Sequence, residues 1–180
     1  MAGVTSERND VIVKLTEAVV HLARETDVRL IPPSEGNIGY AIRGARGASD
    51  IAAVTGGFVT DGTSVHRGGP VAFGADEGIS RIILTVMKFD PVVRSAAIIR
   101  YSENIYSILS DMFIECEETN PGKYKGSISS MDWAVASCCS EGVPEVIALH
   151  GPDTMNPLIC MFSEEPGILA SNIIILSNRI

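Results

Sequence analysis

The chain reads as an α/β protein, a single-domain three-layer α/β/α sandwich around a mixed sheet, and three observations predict this. Segments with apolar residues at helical spacing alternate with short, wholly apolar runs of strand length. Two of those runs follow one another with no helix between them, which a purely parallel sheet does not allow. The 180 residues, 46% of them hydrophobic, are enough to bury one full core, and no repeat or low-complexity segment divides them.

Each element follows in order. Asn9 and Asp10 stand where they can cap a first helix carrying Ile12, Leu15, Val19 and Leu22 inward, and Pro32-Pro33 forbids its continuation. Residues 38–42 (IGYAI) read as a strand leaving the turn Ser34-Glu35-Gly36-Asn37. Residues 50–54 (DIAAV) read as a short helical turn, after which Gly56-Gly57 opens a hairpin from Phe58-Val59-Thr60 to Ser64-Val65-His66. The stretch 71–84, VAFGADEGISRIIL, passes from a glycine turn into a second helix with Ile79, Ile82, Ile83, Val86 and Met87 on one face. That helix stops before Asp90-Pro91. Residues 96–100 form a compact strand ending in Arg100, and Ser102 caps a helix through Met112 that buries Ile105, Ile108 and Leu109. Residues 113–116 suggest a strand, the polar stretch 117–130 a surface loop, and residues 132–140 a helix ended by Gly142. Residues 146–149 and 158–162 read as buried strands. Ser163 is placed to cap the last helix, whose first turn holds Glu164, Glu165 and Pro166.

The bulk charge excludes some functions. A formal net charge of −8 argues against a nucleic-acid partner, because counterion-release binding needs clustered Lys and Arg. The opening MAGVTSERND lacks the form of a signal peptide, and no apolar run approaches the ~20 residues that span a bilayer, so no membrane partner and a cytoplasmic location are expected. A mean hydropathy of +0.23 suggests that part of the surface is covered by another subunit, a homo-oligomer and most simply a dimer. Cys116, Cys138, Cys139 and Cys160 show no ligand spacing, and the adjacent Cys138-Cys139 pair is badly arranged for bridging to itself, so they read as reduced thiols with no metal set.

Candidate chemistry gathers at two places. Gly74 lets backbone approach a ligand, and N–H groups around Ala75 and Asp76 at the helix start can face an anion. Arg81 either joins that phosphate seat or pairs with Glu77 one turn earlier. Arg100 ends an apolar strand beside the next helix, where ligands collect in open α/β sheets, and it needs either a carboxylate or a phosphate. His150 heads a loop after a buried strand, whereas His21 and His66 build no site by spacing. Serine-hydrolase, P-loop and zinc motifs do not occur.

The segments LIPPSEGNIGYAI, DIAAVTGG, FGADEGISRIILTVMKFDPVVRSA, IRYSE, GVPEVIALHG and NPLI occur in this order. Together they resemble the thiamine-phosphate synthase domain of the ThiN type, over nearly the whole chain from Val11 onward. The resemblance implies an α/β/α sandwich and joining of a pyrimidine diphosphate to a thiazole phosphate, with loss of diphosphate. It also implies a small phosphorylated heterocycle as ligand and Mg²⁺ to neutralise diphosphate. On that reading Gly74, Ala75, Asp76, Arg81 and Arg100 grip phosphates, Arg81 and Arg100 serve catalysis, and Asn37, Tyr101 and His150 contact the ligand. The chain departs from the family pattern at four polar positions: Asp76 replaces serine, Gly78 replaces histidine, Gly57 replaces arginine and Ile98 replaces asparagine. The alternative is therefore a catalytically degenerate module that binds thiamine phosphate or a related ligand as a sensor or partner subunit, and His66 and His150 are the candidates to replace the missing histidine.

Overall fold

The computed structural model describes residues 2–113, 115–124, 130–152 and 154–180. Its helices are α1 (Ala2–Glu25), α2 (Glu77–Phe89), α3 (Glu103–Met112), α4 (Ser130–Ser137) and α5 (Pro166–Ser177). The strands are β1 (Asn37–Ala41), β2 (Ile51–Val54), β3 (Phe58–Thr60), β4 (Val65–Arg67), β5 (Val71–Phe73), β6 (Ser95–Arg100), β7 (Cys116–Thr119), β8 (Val146–Leu149) and β9 (Leu158–Ser163). Seven strands form one sheet in the order β5-β2-β1-β6-β9-β8-β7, while β3 and β4 form a separate hairpin. All neighbours run antiparallel except β7 and β8, so the sheet is mixed as the consecutive apolar runs predict.

Alternation along the strands builds two cores. Ala97, Ile99, Ile159 and Met161 face α1, α3 and α5, whereas Ile98, Ile147 and Cys160 face α2 and α4. Both faces of the central strands are therefore buried, which gives the three layers and explains the apolar runs. In α2 the residues Ile79, Ile82, Ile83 and Val86 lie on the sheet side, each buried. Ser102 caps α3 as expected, its hydroxyl accepting from Ile105 N at 3.1 Å.

Several elements differ from the sequence reading. Residues 51–54 are a strand, not a helical turn, because Ile-Ala-Ala-Val is buried on both faces between β1 and β5; only Ala48–Asp50 makes a 3₁₀ turn. The first helix begins at Ala2, so Asn9 and Asp10 lie inside it rather than at its cap. Strand β5 went unread because three residues carry too little period. The expected strand over 113–116 starts at Cys116 instead, and the polar stretch is not all loop, since Glu117, Glu118 and Thr119 complete the outermost strand and pay for their polarity with exposure. Ser163 closes β9, and Glu165 takes the cap position of α5. Within the earlier readings, Ile114, residues 125–129 and Asp153 lie outside the described residues.

Strand directions decide where a site can form. The carboxyl ends of β2, β6, β7 and β8 point to one edge of the sheet, where β1 and β9 begin: Asn37 stands opposite Ile98, and Arg100 and Leu149 both stand opposite Leu158. The base of the hairpin closes over this edge through glycines. Gly57 has φ +66°, and a Cβ there would lie 2.4 Å from Gly36 O, which already accepts from Phe58 N at 2.9 Å. An arginine at position 57 therefore does not fit this backbone.

Two outcomes follow from this packing. Gly57→Ala should lower the melting temperature by about 5 °C or more, from a cost of about 2 kcal/mol. Gly62→Ala, whose φ is +93° but whose surroundings are open, should lower it less. Burial pushes the thiols of Cys139 and Cys160 up to about 11 and about 12. At pH 8 iodoacetamide should therefore leave both unmodified in the folded protein and label them after denaturation, as read by mass spectrometry.

Candidate functional site at one edge of the sheet

The candidate residues fall into two groups, one around the start of α2, tied to this edge through the Asp76–Asn37 contact, and one at the edge itself. The first surrounds the start of α2. Strand β5 ends at Phe73, and Gly74 turns the chain with φ +72° while its N–H donates to Ile51 O at 3.0 Å. That donor is spent on the sheet. Ala75 then packs against the α2-side core, and Asp76 occupies the cap position with extended backbone. Its Oδ1 accepts from Ile79 N at 3.1 Å, its Oδ2 accepts from Asn37 Nδ2 at 2.8 Å, and its carbonyl accepts from the Ser80 hydroxyl at 2.6 Å.

Asn37 is 1% exposed and uses its whole amide. Its Oδ1 accepts from Ile38 N and Val54 N, and its Nδ2 donates to Val54 O as well as to Asp76. Arg81 pairs through Nε with Asp132 Oδ2 at 3.0 Å, in the first turn of α4, rather than with Glu77. Both side chains are partly exposed, so the pair is worth about 1 kcal/mol at most. Gly78 has room: a Cβ there meets only Asp76 Oδ1, at 3.4 Å.

The second group lies at the ends of β6 and β8. Arg100 is exposed and makes no side-chain hydrogen bond or ion pair among the described residues. It lines a cavity of about 230 Å³ with Arg29, Asn104 and the α3 cap Ser102. Arg29 is held there by Asp27, whose carboxylate accepts from its Nε at 3.0 Å and from its terminal nitrogen at 2.8 Å. The same hydrogen bonds hold the Asp27 carboxyl below its ordinary range.

Beside this cavity the Tyr101 ring stacks on His150, centroids 4.3 Å apart and 10° from parallel, with Tyr106 tilted at 6.2 Å. His150 Nε2 lies 3.3 Å from Glu118 Oε1. Burial first, then the nearby Glu118 and Glu103 charges, raise the Tyr101 hydroxyl pKa above its usual value, so it stays a hydrogen-bond donor. The other histidine candidate, His66, is on the exposed hairpin beside Asp61 at 3.3 Å.

The structure thus brings Gly74, Ala75, Asp76, Asn37 and Arg81 to one helix start, and Arg100, Tyr101 and His150 to a neighbouring strand end. Three members were missed by sequence reasoning. Arg29 belongs to a 3₁₀ turn at Val28–Leu30 and is fixed by a partner two residues away, a local Asp-x-Arg signal that was present. Glu118 was hidden in the polar stretch, and Asp132 had no signal as a partner because α4 reaches α2 only through the fold. Among the described residues no group of three or more His, Cys, Asp or Glu converges to hold a metal. The described residues at this edge therefore do not form a protein-held Mg²⁺ cage.

Comparisons with known proteins point one way. The family model for thiamine-phosphate synthase ThiN matches residues 14–175. The bifunctional thiamine biosynthesis protein ThiDN of Methanocaldococcus jannaschii is 28% identical over 155 residues, covering 82% of this chain and 36% of that protein. The chain therefore spans about a third of the curated relative's length. The crystal structure of the C-terminal domain of protein MJ0236 aligns with a TM-score of 0.86 at 25% identity, covering 94% of each chain. That of the C-terminal domain of a phosphomethylpyrimidine kinase aligns with 0.85 at 30% identity, covering 94% of this chain and all of the other.

The Asp76–Asn37 contact makes a direct prediction. Asp76→Ala removes the α2 cap and one partner of a buried amide, and should destabilise the protein by about 1–3 kcal/mol in denaturant unfolding. Asp76→Ser keeps a capping oxygen and should cost less than half of that.

Proposed function

The chain belongs to the ThiN thiamine-phosphate synthase family, and from that premise we propose that it binds thiamine phosphate, or a phosphorylated precursor of it, with catalysis much reduced. The observation that carries this reading is the state of the α2 start. A carboxylate at position 76 caps Ile79 N and meets Asn37 Nδ2, so groups that would grip an incoming phosphate are already satisfied within the chain. A ligand phosphate placed there would also face the Asp76 charge, at a cost of about 1 kcal/mol or more in a partly screened pocket.

The Arg100 side remains open. A phosphate at the cavity would meet Arg100, the partly committed Arg29 and the N-terminus of α3. The stacked Tyr101 and His150 rings offer a flat surface beside it for a heterocycle. A protein of net charge −8 has few such places, and local cations are what an anionic ligand requires.

The joining reaction is the second reading, favoured by the family's own description. Loss of diphosphate from an aminopyrimidine leaves a stabilised cation, so the protein would mainly hold the leaving group and aim the thiazole nitrogen. Arg81 and Arg100 would do the holding. In this reading His150, oriented by Glu118, stands where a proton can be accepted or given; nothing at position 78 can.

Titration calorimetry and a diphosphate-release assay test the proposal together. Thiamine phosphate should bind, Arg100→Ala should weaken binding about tenfold or more, and the two substrates with Mg²⁺ should give no diphosphate above blank. The pair Gly78→His with Asp76→Ser should raise turnover. Absence of binding at millimolar ligand overturns the binding reading, and rapid turnover by the unmodified protein overturns the loss of catalysis.

A further inference from the structure

A second cavity opens at the opposite edge of the sheet, where β1 and β9 end and β6 begins: Ser95 stands opposite Tyr40 and Ser163. The length of β6 holds it roughly 20 Å from Arg100. The cavity measures about 400 Å³, and Arg94 lies in its wall. Arg94 is 8% exposed, a buried cation that needs compensation. Its partners within the chain fall short of that. One terminal nitrogen donates to the Tyr40 hydroxyl at 2.5 Å, and the guanidinium carbon lies 4.8 Å from the centre of that ring. The other terminal nitrogen is 3.7 Å from Glu7 Oε1, beyond hydrogen-bond reach, and that oxygen already accepts from Arg43 N at 2.8 Å. A guanidinium offers a fork of donors, and among the described residues Tyr40 alone accepts a hydrogen bond from this one. The rim carries the opposite sign. Asp10 and Glu164 line the cavity, are exposed, and their carboxylates form no hydrogen bond or ion pair among the described residues, whereas Glu165 is engaged by Lys14 at 3.0 Å.

We propose that this cavity binds a small zwitterion, its carboxylate on Arg94 and its ammonium against Asp10 and Glu164. A carboxylate meets the free edge of one guanidinium with two oxygens, which matches what Arg94 lacks. The Tyr40 hydroxyl accepts from Arg94, so its own proton is free to donate to the same carboxylate. A phosphate dianion fits less well, because the lining sets the acids Glu7, Asp10, Glu164 and Glu165 against the cations Lys14, Arg43 and Arg94, a net charge of −1. A purely cationic ligand would leave Arg94 no better compensated than before. The helix sets the spacing of the two charges. Glu7, beside Arg94, and Asp10 are three residues apart on α1, a rise of about 4.5 Å that about three methylenes can span. An ω-amino acid of the size of γ-aminobutyrate has this form. The site lies away from the Arg100 edge and does not rest on which ligand binds there.

Thermal unfolding followed by circular dichroism tests the site, with γ-aminobutyrate as probe and butyrate and butylammonium as its two halves. At about 20 mM the zwitterion should raise the melting temperature by about 2 °C or more, and by more than the two halves together. Asp10→Asn with Glu164→Gln changes exposed rim groups and should abolish that excess in a normally folded protein. Arg94→Lys should raise the concentration needed for half of the shift about tenfold or more. That variant alters a buried group, so the rim pair decides where it fails to fold. Arg100→Ala should leave the shift in place, which separates this site from the other edge. Absence of a shift, an equal shift from butyrate alone, or a shift that survives the rim pair overturns the proposal, and so does its loss in Arg100→Ala.

Discussion

A single buried amide holds the functional edge together. Asn37 sits at the start of β1, 1% exposed, and its side chain ties that strand to the end of its neighbour β2 and to the start of α2. Its oxygen takes the N–H of Val54 at the end of β2, and its nitrogen gives to Val54 O and to Asp76 at the start of α2. A buried amide left short of partners costs about 1–3 kcal/mol, so the position of the α2 start is tied to the last residue of β2. Everything that approaches the edge must fit around that tie. The hairpin base does so by dispensing with side chains, because Gly57 lies against Gly36 O and Gly68 against the Gly56 and Gly57 carbonyls. A Cβ on Gly69 would likewise lie 3.0 Å from Thr55 O.

This explains why two of the positions at which the sequence departs from the pattern it resembles are structurally different. At position 57 the glycine is a requirement of the local backbone, so restoring arginine there would first displace the Gly36 carbonyl. At position 78 the glycine is a vacancy on an exposed helical turn with space beside it. A side chain can be placed at position 78 by one substitution, whereas one at position 57 requires the hairpin base to move.

Much of this was legible in the sequence, and the rest failed for identifiable reasons. The three layers, the helix of residues 77–89 and the Ser102 cap follow from period and capping chemistry, which are local. Residues 51–54 misled because Ile-Ala-Ala-Val has no alternation when both faces are buried, and two alanines favour a helix on propensity alone. The site residues were nameable one at a time, but their partners were not. Asp132 meets Arg81 across 51 positions and Glu118 meets His150 across 32, separations at which no spacing rule applies. The stack of Tyr101 on His150 likewise depends on β6 and β8 ending at the same edge, a property of topology and not of either segment.

Asp76 does within the chain what a bound anion can do at a helix start. A helix start offers unpaired N–H groups that favour negative charge, and a bound phosphate or a capping carboxylate can satisfy them equally well. Asp76 supplies the carboxylate from within the chain, where it need not be recruited from solution and so competes with any free anion at a large entropic advantage. The serine of the family pattern would cap the helix without adding charge and would leave the seat receptive. Carrying aspartate, this chain anchors the start of α2 to Asn37. The consequence falls on Arg100: with Arg81 engaged by Asp132 and the α2 start self-satisfied, Arg100 is the candidate cation whose charge still lacks a partner among the described residues. Arg100 lines the cavity on the α3 side together with Arg29 and the Ser102 cap, whereas the cations and N–H groups on the α2 side already have partners within the chain.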